Sequence, residues 1–425
     1  FGLLQLLGLS SAIGTLQEAG RGVTPSRKQR AIRRGFVVIQ IAMTIVLLAA
    51  SGIMIRTVQH LEAVRPGFNG TGVLTADVIL PMTRDATDEG ASGVWEQLEA
   101  RLSSLPGVAV VAAADLVPLG ERNGCSAVFV ESHPLAPSEE APCVKTISIT
   151  PGYFEALQIP VQGRTFTWSD VHGGSGGVVV SRALAQRLWP NEDPIGKGIK
   201  GNDDSPPYYR VIGVAGDVHG DGLEEPPDQA VYFPLIPIAG APLWGPVTDM
   251  TLLIRTTRGD PADIAPAVRR VLGAIAPDAP ITRVRTMDSI LAGATARVRF
   301  IMLVLSAAAA MALLLSGVGL YTVIAHVTAQ RRGEISVRMA LGASAHRIVR
   351  AVMTESLWVA GIGIALGLPG ALVTTQLLRS FMFGVGPSDP VVLGGGVLLL
   401  IAIAVAAGYF PARKAAHISP VEVLR

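Results

Sequence analysis

Four stretches of this chain, Gly35 to Ile55, Phe300 to Ile324, Leu357 to Leu378 and Val391 to Phe410, contain no Asp, Glu, Lys or Arg. A helix needs about 20 apolar residues to cross the hydrocarbon of a bilayer, and buried helices of soluble proteins rarely stay uncharged for so long. The composition agrees, with 49% hydrophobic and only 16% charged residues among 425. Lipid is therefore the expected solvent for part of the chain, which crosses it once early and three times in quick succession.

Charge then orients the spans. The net charge of +2 sums two opposed regions. Between Thr57 and Thr295 there are 17 basic against 28 acidic residues, a net −11, whereas the segments Arg21 to Arg34, Ala325 to Arg350 and Pro411 to Arg425 are basic. Lys and Arg collect on the cytoplasmic side of membrane proteins. Both ends and the loop after the second span are thus expected inside, and the acidic block outside. The opening "FGLLQLLGLSSAIG" is too short to span and lacks the basic leader of a signal peptide; it is expected to be the tail of an upstream segment or an interfacial helix.

The acidic block alternates strand-like and helix-like signals, as a mixed α/β module does. "VLTADVIL" (Val73 to Leu80) alternates apolar residues, and Val94, Leu98 and Leu102 repeat at helical spacing, leaving Glu96, Glu99 and Arg101 to a solvated face. "GVVVSRALAQRLW" predicts strand then helix, "YYRVIGVAGDV" and "TLLIRTT" (Thr251 to Thr257) predict strands, and Ile264, Val268, Val271, Leu272 and Ile275 a final helix. Cys125 and Cys143 both fall in this outer block, where an oxidising compartment permits a disulfide between neighbouring strands; two buried free thiols are the alternative. The fold class expected is an α+β membrane protein: four transmembrane helices, one and then three, with a large extracytoplasmic mixed α/β domain between the first and second.

Catalytic motifs are imitated rather than met. "GGSGG" (Gly173 to Gly177) has the spacing of a nucleophile elbow, but its strand follows instead of preceding it. "PIGKG" around Lys197 lacks the first glycine and the final Ser or Thr of a phosphate-binding loop. Asp217, His219 and Asp221 alternate as metal ligands on an extended segment could, yet such residues more often form solvated turns. No span carries a mid-membrane ionisable residue of the kind that marks proton relays and ion pathways. No cofactor, metal or nucleic acid is expected on this chain, and the energy for any transport must come from elsewhere.

Small residues crowd the spans, and Gly363 and Gly367 form the G-x-x-x-G spacing that lets membrane helices approach closely, with a dimer face as one use. After the second span, "HVTAQRRGEISVRMALGASAHRIVRAVMTES" (His326 to Ser356, with "QRRGEISVRMALGAS" from Gln330 to Ser344 within it) predicts a helical continuation, a break at Gly342 and a second short amphipathic helix. That make-up suits docking in a groove of a cytosolic partner, although a loop contacting anionic lipid would also explain the arginines.

This loop resembles the inner-loop signature of the FtsX-like permease family, and "PARKAAHISPVEVLR" resembles that family's C-terminal tail. The outer block is similar to the MacB-like periplasmic core through "ITPGYFEALQIPVQGRTF", "VVVSRALAQRLWPNEDPIGKGI" and "YRVIGVAGDV". The resemblance implies an ABC transporter permease of the bacterial inner membrane, moved by a separate cytosolic ATPase that consumes ATP. The coupling element would fall on Glu334, Arg338, Met339, Ala340, Leu341, Gly342 and Ala343. It also implies a second permease half or protomer, stalk helices continuing the first two spans, and a periplasmic adaptor and outer-membrane channel as further partners. The domains expected are a cytoplasmic segment 1–34, resembling the join between halves of duplicated permeases, a first helix 35–56, a core domain 57–295 and a permease domain 296–425. A membrane-anchored sensor or scaffold with an outer ligand-binding domain is the alternative.

Overall fold

A computed structural model describes residues 27–81, 87–120, 125–132, 141–174, 176–201, 208–236, 247–330, 344–377, 379, 384, 386 and 389–416. In chain order its elements are α1 (Arg27–Ala63), β1 (Val73–Ile79), α2 (Asp88–Ser103), β2 (Val108–Ala114), β3 (Ser126–Val130), β4 (Cys143–Ile149), the single turn α3 (Tyr153–Ala156) and β5 (Val161–Gly163). These are followed by α4 (Trp168–Gly173), β6 (Gly177–Ser181), α5 (Arg182–Leu188), β7 (Gly198–Gly201), β8 (Tyr209–Ala215), β9 (Ala230–Pro234) and β10 (Asp249–Thr256). The last elements are α6 (Ala265–Ile275), β11 (Ile281–Thr286), α7 (Met287–Gln330), α8 (Ala345–Leu377) and α9 (Pro390–Ala416). The chain divides into two units, residues 60–297 and the helical remainder.

In the helical unit, α1, α7, α8 and α9 are each long and apolar enough to cross a membrane, the one-plus-three order expected from the uncharged runs. α1 supplies much of the shared core: Val37, Ile41 and Ile45 are buried with Leu320 and Ile324 of α7, Val359 and Ile364 of α8, and Leu400 and Ala404 of α9. α7 instead exposes Phe300, Leu303, Leu314 and Val318, which suits a lipid-facing helix.

Among the described residues the other unit is one sheet of eleven strands, mixed in direction as the alternating sequence signals require. β11, β1, β10 and β2 form an open antiparallel half. Beyond β2, the strands β4, β3, β7, β8, β6 and β9 follow in order, and β9 returns to pair in parallel with β4, so these six close on themselves. The open half is covered by α2 and α6, whose Trp95, Leu98, Leu102, Val268 and Leu272 pack on Leu74, Ala76, Val78 and Leu252. The closed half fills its interior with valines from β6 and β8 together with Trp189, Tyr209 and Phe233.

One reading of α2 is corrected here. Glu99, expected on a solvated face, is 6% exposed because Trp168 of α4 covers that side of the helix and donates its indole N–H to Glu99 Oε2 at 3.2 Å. The Thr150 hydroxyl also donates to the Glu99 carboxyl.

Cys125 and Cys143 are joined by a disulfide beside the β3–β4 pairing, 18 residues apart in sequence. Closing a loop of that size stabilises a fold by about 3 kcal/mol in the chain-entropy account. The Cys125→Ser variant is expected to lose about 2–3 kcal/mol of outer-domain stability, read as a lower urea midpoint of tryptophan fluorescence. A midpoint equal to that of the oxidised wild type would contradict it.

Candidate functional site

The two helices that leave the outer unit do so from one corner of its sheet. β1 and β11 are neighbours with Leu74 opposite Thr286, so the strand following α1 and the strand preceding α7 lie side by side. α7 starts at Met287, the residue after β11, with no loop between, and runs unbroken to Gln330. At 1.5 Å per residue its 44 residues make a rod of about 66 Å, against roughly 30 Å of bilayer hydrocarbon. Met287 and Ile290 of its first turn are buried in the core shared by β2, β4 and β9.

The segment 64–72, which joins α1 to β1, is fastened along its length. Pro66 O accepts from His219 N, Asn69 N donates to Leu157 O, and Gly72 O accepts from both the main-chain N–H and the hydroxyl of Thr256. Gly67, at φ +86°, packs so closely on the chain at Asp217 that a Cβ would stand 1.8 Å from Asp217 O. No other residue fits that turn. At the centre lies Arg255 of β10, 9% exposed, whose guanidinium donates to Asn69 O at 2.5 Å, Thr71 O at 2.9 Å and Ala156 O at 2.6 Å. A planar fork of five donors suits this task as lysine would not. The first residues after α1 are thereby tied to β10, to α3 and to the loop after β8.

Within the membrane unit α1 is held by three kinds of contact. Its Thr44 and Ser51 hydroxyls pair with Ser316 at 2.7 Å and Ser306 at 2.9 Å on α7. Ion pairs close it at both ends, Arg34 with Glu355 of α8 and Arg56 with Asp389. Between them Gly363 and Gly367 of α8 lie against α1 of the same chain: a Cβ at Gly363 would come 2.7 Å from Ile41 Cβ, and one at Gly367 would come 2.1 Å from Ile45 Cγ2 and 2.7 Å from Ala42 O. Since backbone cannot yield as a side chain does, Gly367→Ala is expected to cost about 1–3 kcal/mol of helix association. Denaturation in SDS–detergent mixtures measures it, and an unchanged midpoint would contradict the packing.

The other sequence candidates separate into unrelated roles. The coupling residues Glu334, Arg338, Met339, Ala340, Leu341, Gly342 and Ala343 lie outside the described residues; α7 ends just before them at Gln330 and α8 begins just after at Ala345. Asp217 Oδ1 caps α5 by accepting from Ala183 N, His219 Nδ1 meets Glu225 O, and Asp221 pairs with Lys145. Lys197 pairs with Glu192, and the Gly196 N–H is bonded to Val211 O rather than open to a phosphate. Among the described residues no three His, Cys, Asp or Glu side chains are grouped to hold a metal. The sequence signal for Arg255 is a charge set directly after the apolar run Leu252, Leu253 and Ile254 of β10.

Residues 37–273, more than half the chain, match the family model of the MacB-like periplasmic core domain. The chain belongs to that family. Residues 306–420 match the FtsX-like permease C-terminal model, and the two matches together make the chain a MacB/FtsX-type ABC permease. A macrolide export ATP-binding/permease protein MacB from Marinobacter nauticus is 27% identical over 63% of this chain and 41% of its own length. The pyoverdine export ATP-binding/permease protein PvdT of Pseudomonas putida is 27% identical over 62% of this chain and 40% of its own. The ABC transporter permease YknZ of Bacillus subtilis is 25% identical over 65% of this chain and 68% of its own. The chain thus spans about two fifths of the MacB and PvdT relatives. The MacB-like match takes in most of α1 and the sheet unit as far as α6, and the FtsX-like match takes in most of α7 with α8 and α9.

Proposed function

We propose that this chain is the moving permease part of an ABC exporter of the mechanotransmission kind. A separate cytosolic ATPase grips the loop holding Glu334, Arg338 and Gly342, and ATP hydrolysis there shifts the loop. α7 carries that shift to β11, and α1 moves with it through the hydroxyl pairs and the fastened segment 64–72. The observation that carries the reading is the unbroken course of α7 from the last residue of β11 to the residue before the coupling loop. A continuous helix is stiff, and one that enters a sheet without a loop has no slack to absorb movement.

The three basic segments support an arrangement in an inner membrane with both ends of this chain on the cytoplasmic side and the acidic sheet unit outside. Relatives named for macrolide and pyoverdine export favour efflux as the direction; a second permease half or protomer, a periplasmic adaptor and an outer-membrane channel are the further partners that the family resemblance implies. Arg338→Glu and Gly342→Trp are each expected to abolish co-purification of the cognate ATPase while membrane insertion stays intact. Normal recovery of the ATPase with both variants would overturn the coupling assignment.

A further inference from the structure

Beyond ATPase coupling, a pocket of about 300 Å³ opens between α1 and α7, lined by Arg33, Arg34, Thr322, Val323, His326 and Val327. We propose that it binds the phosphate headgroup of an anionic phospholipid.

Depth is the first argument. The uncharged run of α1 begins at Gly35 and that of α7 ends at Ile324, so Arg33, Arg34 and His326 stand just outside the apolar runs, where lipid phosphates lie. Charge is the second. Arg34 is engaged by Glu355, and His326 Nε2 meets the Gln330 side chain at 3.1 Å. Arg33 is exposed and has no hydrogen-bond or ion-pair partner among the described residues. Two guanidinium groups therefore face one carboxylate, leaving a planar set of donors whose fork matches two phosphate oxygens. The Thr322 hydroxyl donates within its own helix to Val318 O at 2.7 Å, so the arginines and the histidine supply the recognition.

Apolar lining is the third argument and distinguishes a lipid from free phosphate. Val323 and Val327 form part of the wall, and Phe36 on α1 and Val318 and Tyr321 on α7 are exposed, 63%, 64% and 42%. An inorganic anion has no use for such surroundings, whereas a phospholipid brings charge and hydrocarbon together. Basic pockets between membrane helices suit anionic headgroups for this reason. The inference requires only that the helices span a membrane and is independent of the ATPase and of the cargo.

The test is lipid retention by the full-length protein, purified in neutral detergent, incubated with equal amounts of phosphatidylglycerol and phosphatidylcholine, washed, and read by native mass spectrometry. Wild-type protein is expected to keep phosphatidylglycerol over phosphatidylcholine. Arg33→Gln is expected to lower that retention about tenfold, the value of one charge-assisted contact, and Arg33→Lys to lower it less. Arg379→Gln, removing a charge elsewhere, is expected to leave it unchanged. If Arg33→Gln does not elute as a folded species, His326→Gln serves as the second lesion and is expected to weaken retention severalfold. Equal retention of the two lipids, undiminished phosphatidylglycerol on the pocket variants, or its displacement by millimolar inorganic phosphate would overturn the proposal.

Discussion

Replacing Arg255 with methionine is expected to lower the stability of the outer domain by roughly 2–4 kcal/mol, because three main-chain carbonyls lose their donor at once, the buried one of Ala156 and those of Asn69 and Thr71, which water can reach. A buried acceptor left without a partner costs about 1–3 kcal/mol, which applies in full to Ala156 O and in smaller measure to the two that water can reach. Methionine keeps most of the aliphatic stem, so lost packing adds little. Arg255→Lys, with a single ammonium that cannot reach three diverging acceptors, should fall between. Urea unfolding of the intact protein, followed by the buried Trp95 and Trp189, measures the difference. A loss of under 1 kcal/mol in the methionine variant would show that the segment after α1 is held by its other bonds alone. Under the proposed transmission, movement of α1 enters the sheet through that segment, so Arg255→Lys is also expected to weaken transport more than its modest loss of stability explains.

The second large effect concerns pH. Burial raises the Glu99 carboxyl from its ordinary 4.5 to about 8; the hydrogen bonds from Thr150 and Trp168 pull it down, and the neighbouring Glu96 adds a smaller push upward. The folded protein therefore holds this proton where the unfolded chain has released it. Its contribution to stability is complete below about pH 4.5 and is lost progressively as pH rises to about 8. At 1.36 kcal/mol per unit the loss across that window reaches at most about 5 kcal/mol. Glu99→Gln stays neutral and can still accept from Trp168, so its stability is expected to stay nearly flat over the same range and to exceed wild type at pH 8. Parallel wild-type and variant curves between pH 5 and 8 would contradict a buried, protonated Glu99.

How far the sequence foretold these features depended on whether the information was local. The spans were legible because lipid excludes charge, and β1, β6, β8, β10, α2 and α6 because their apolar spacing repeats within a few residues. Glu99 was misread for a physical reason: helical periodicity shows which face of α2 meets the sheet, and nothing nearby in the chain reveals that Trp168, in a different element, covers another. Closure of the six strands through β4 and β9 is likewise a long-range pairing without a local mark. Gly363 and Gly367 had the spacing for close approach, yet spacing does not say which helix approaches; here it is α1 of the same chain. Arg255 directly follows an apolar run in β10, but its three acceptors are contributed by main chain, whose position is known only once the fold is formed.

The most direct measurement of the central claim uses an environment-sensitive fluorophore attached through Ser289→Cys, an exposed position in the first turn of α7, in protein reconstituted with its cognate ATPase. Adding ATP is expected to change the emission of the probe, and Gly342→Trp to abolish the change while reconstitution stays normal. A probe that is silent to ATP in the parent protein, or that responds equally in the Gly342→Trp variant, would contradict transmission along α7.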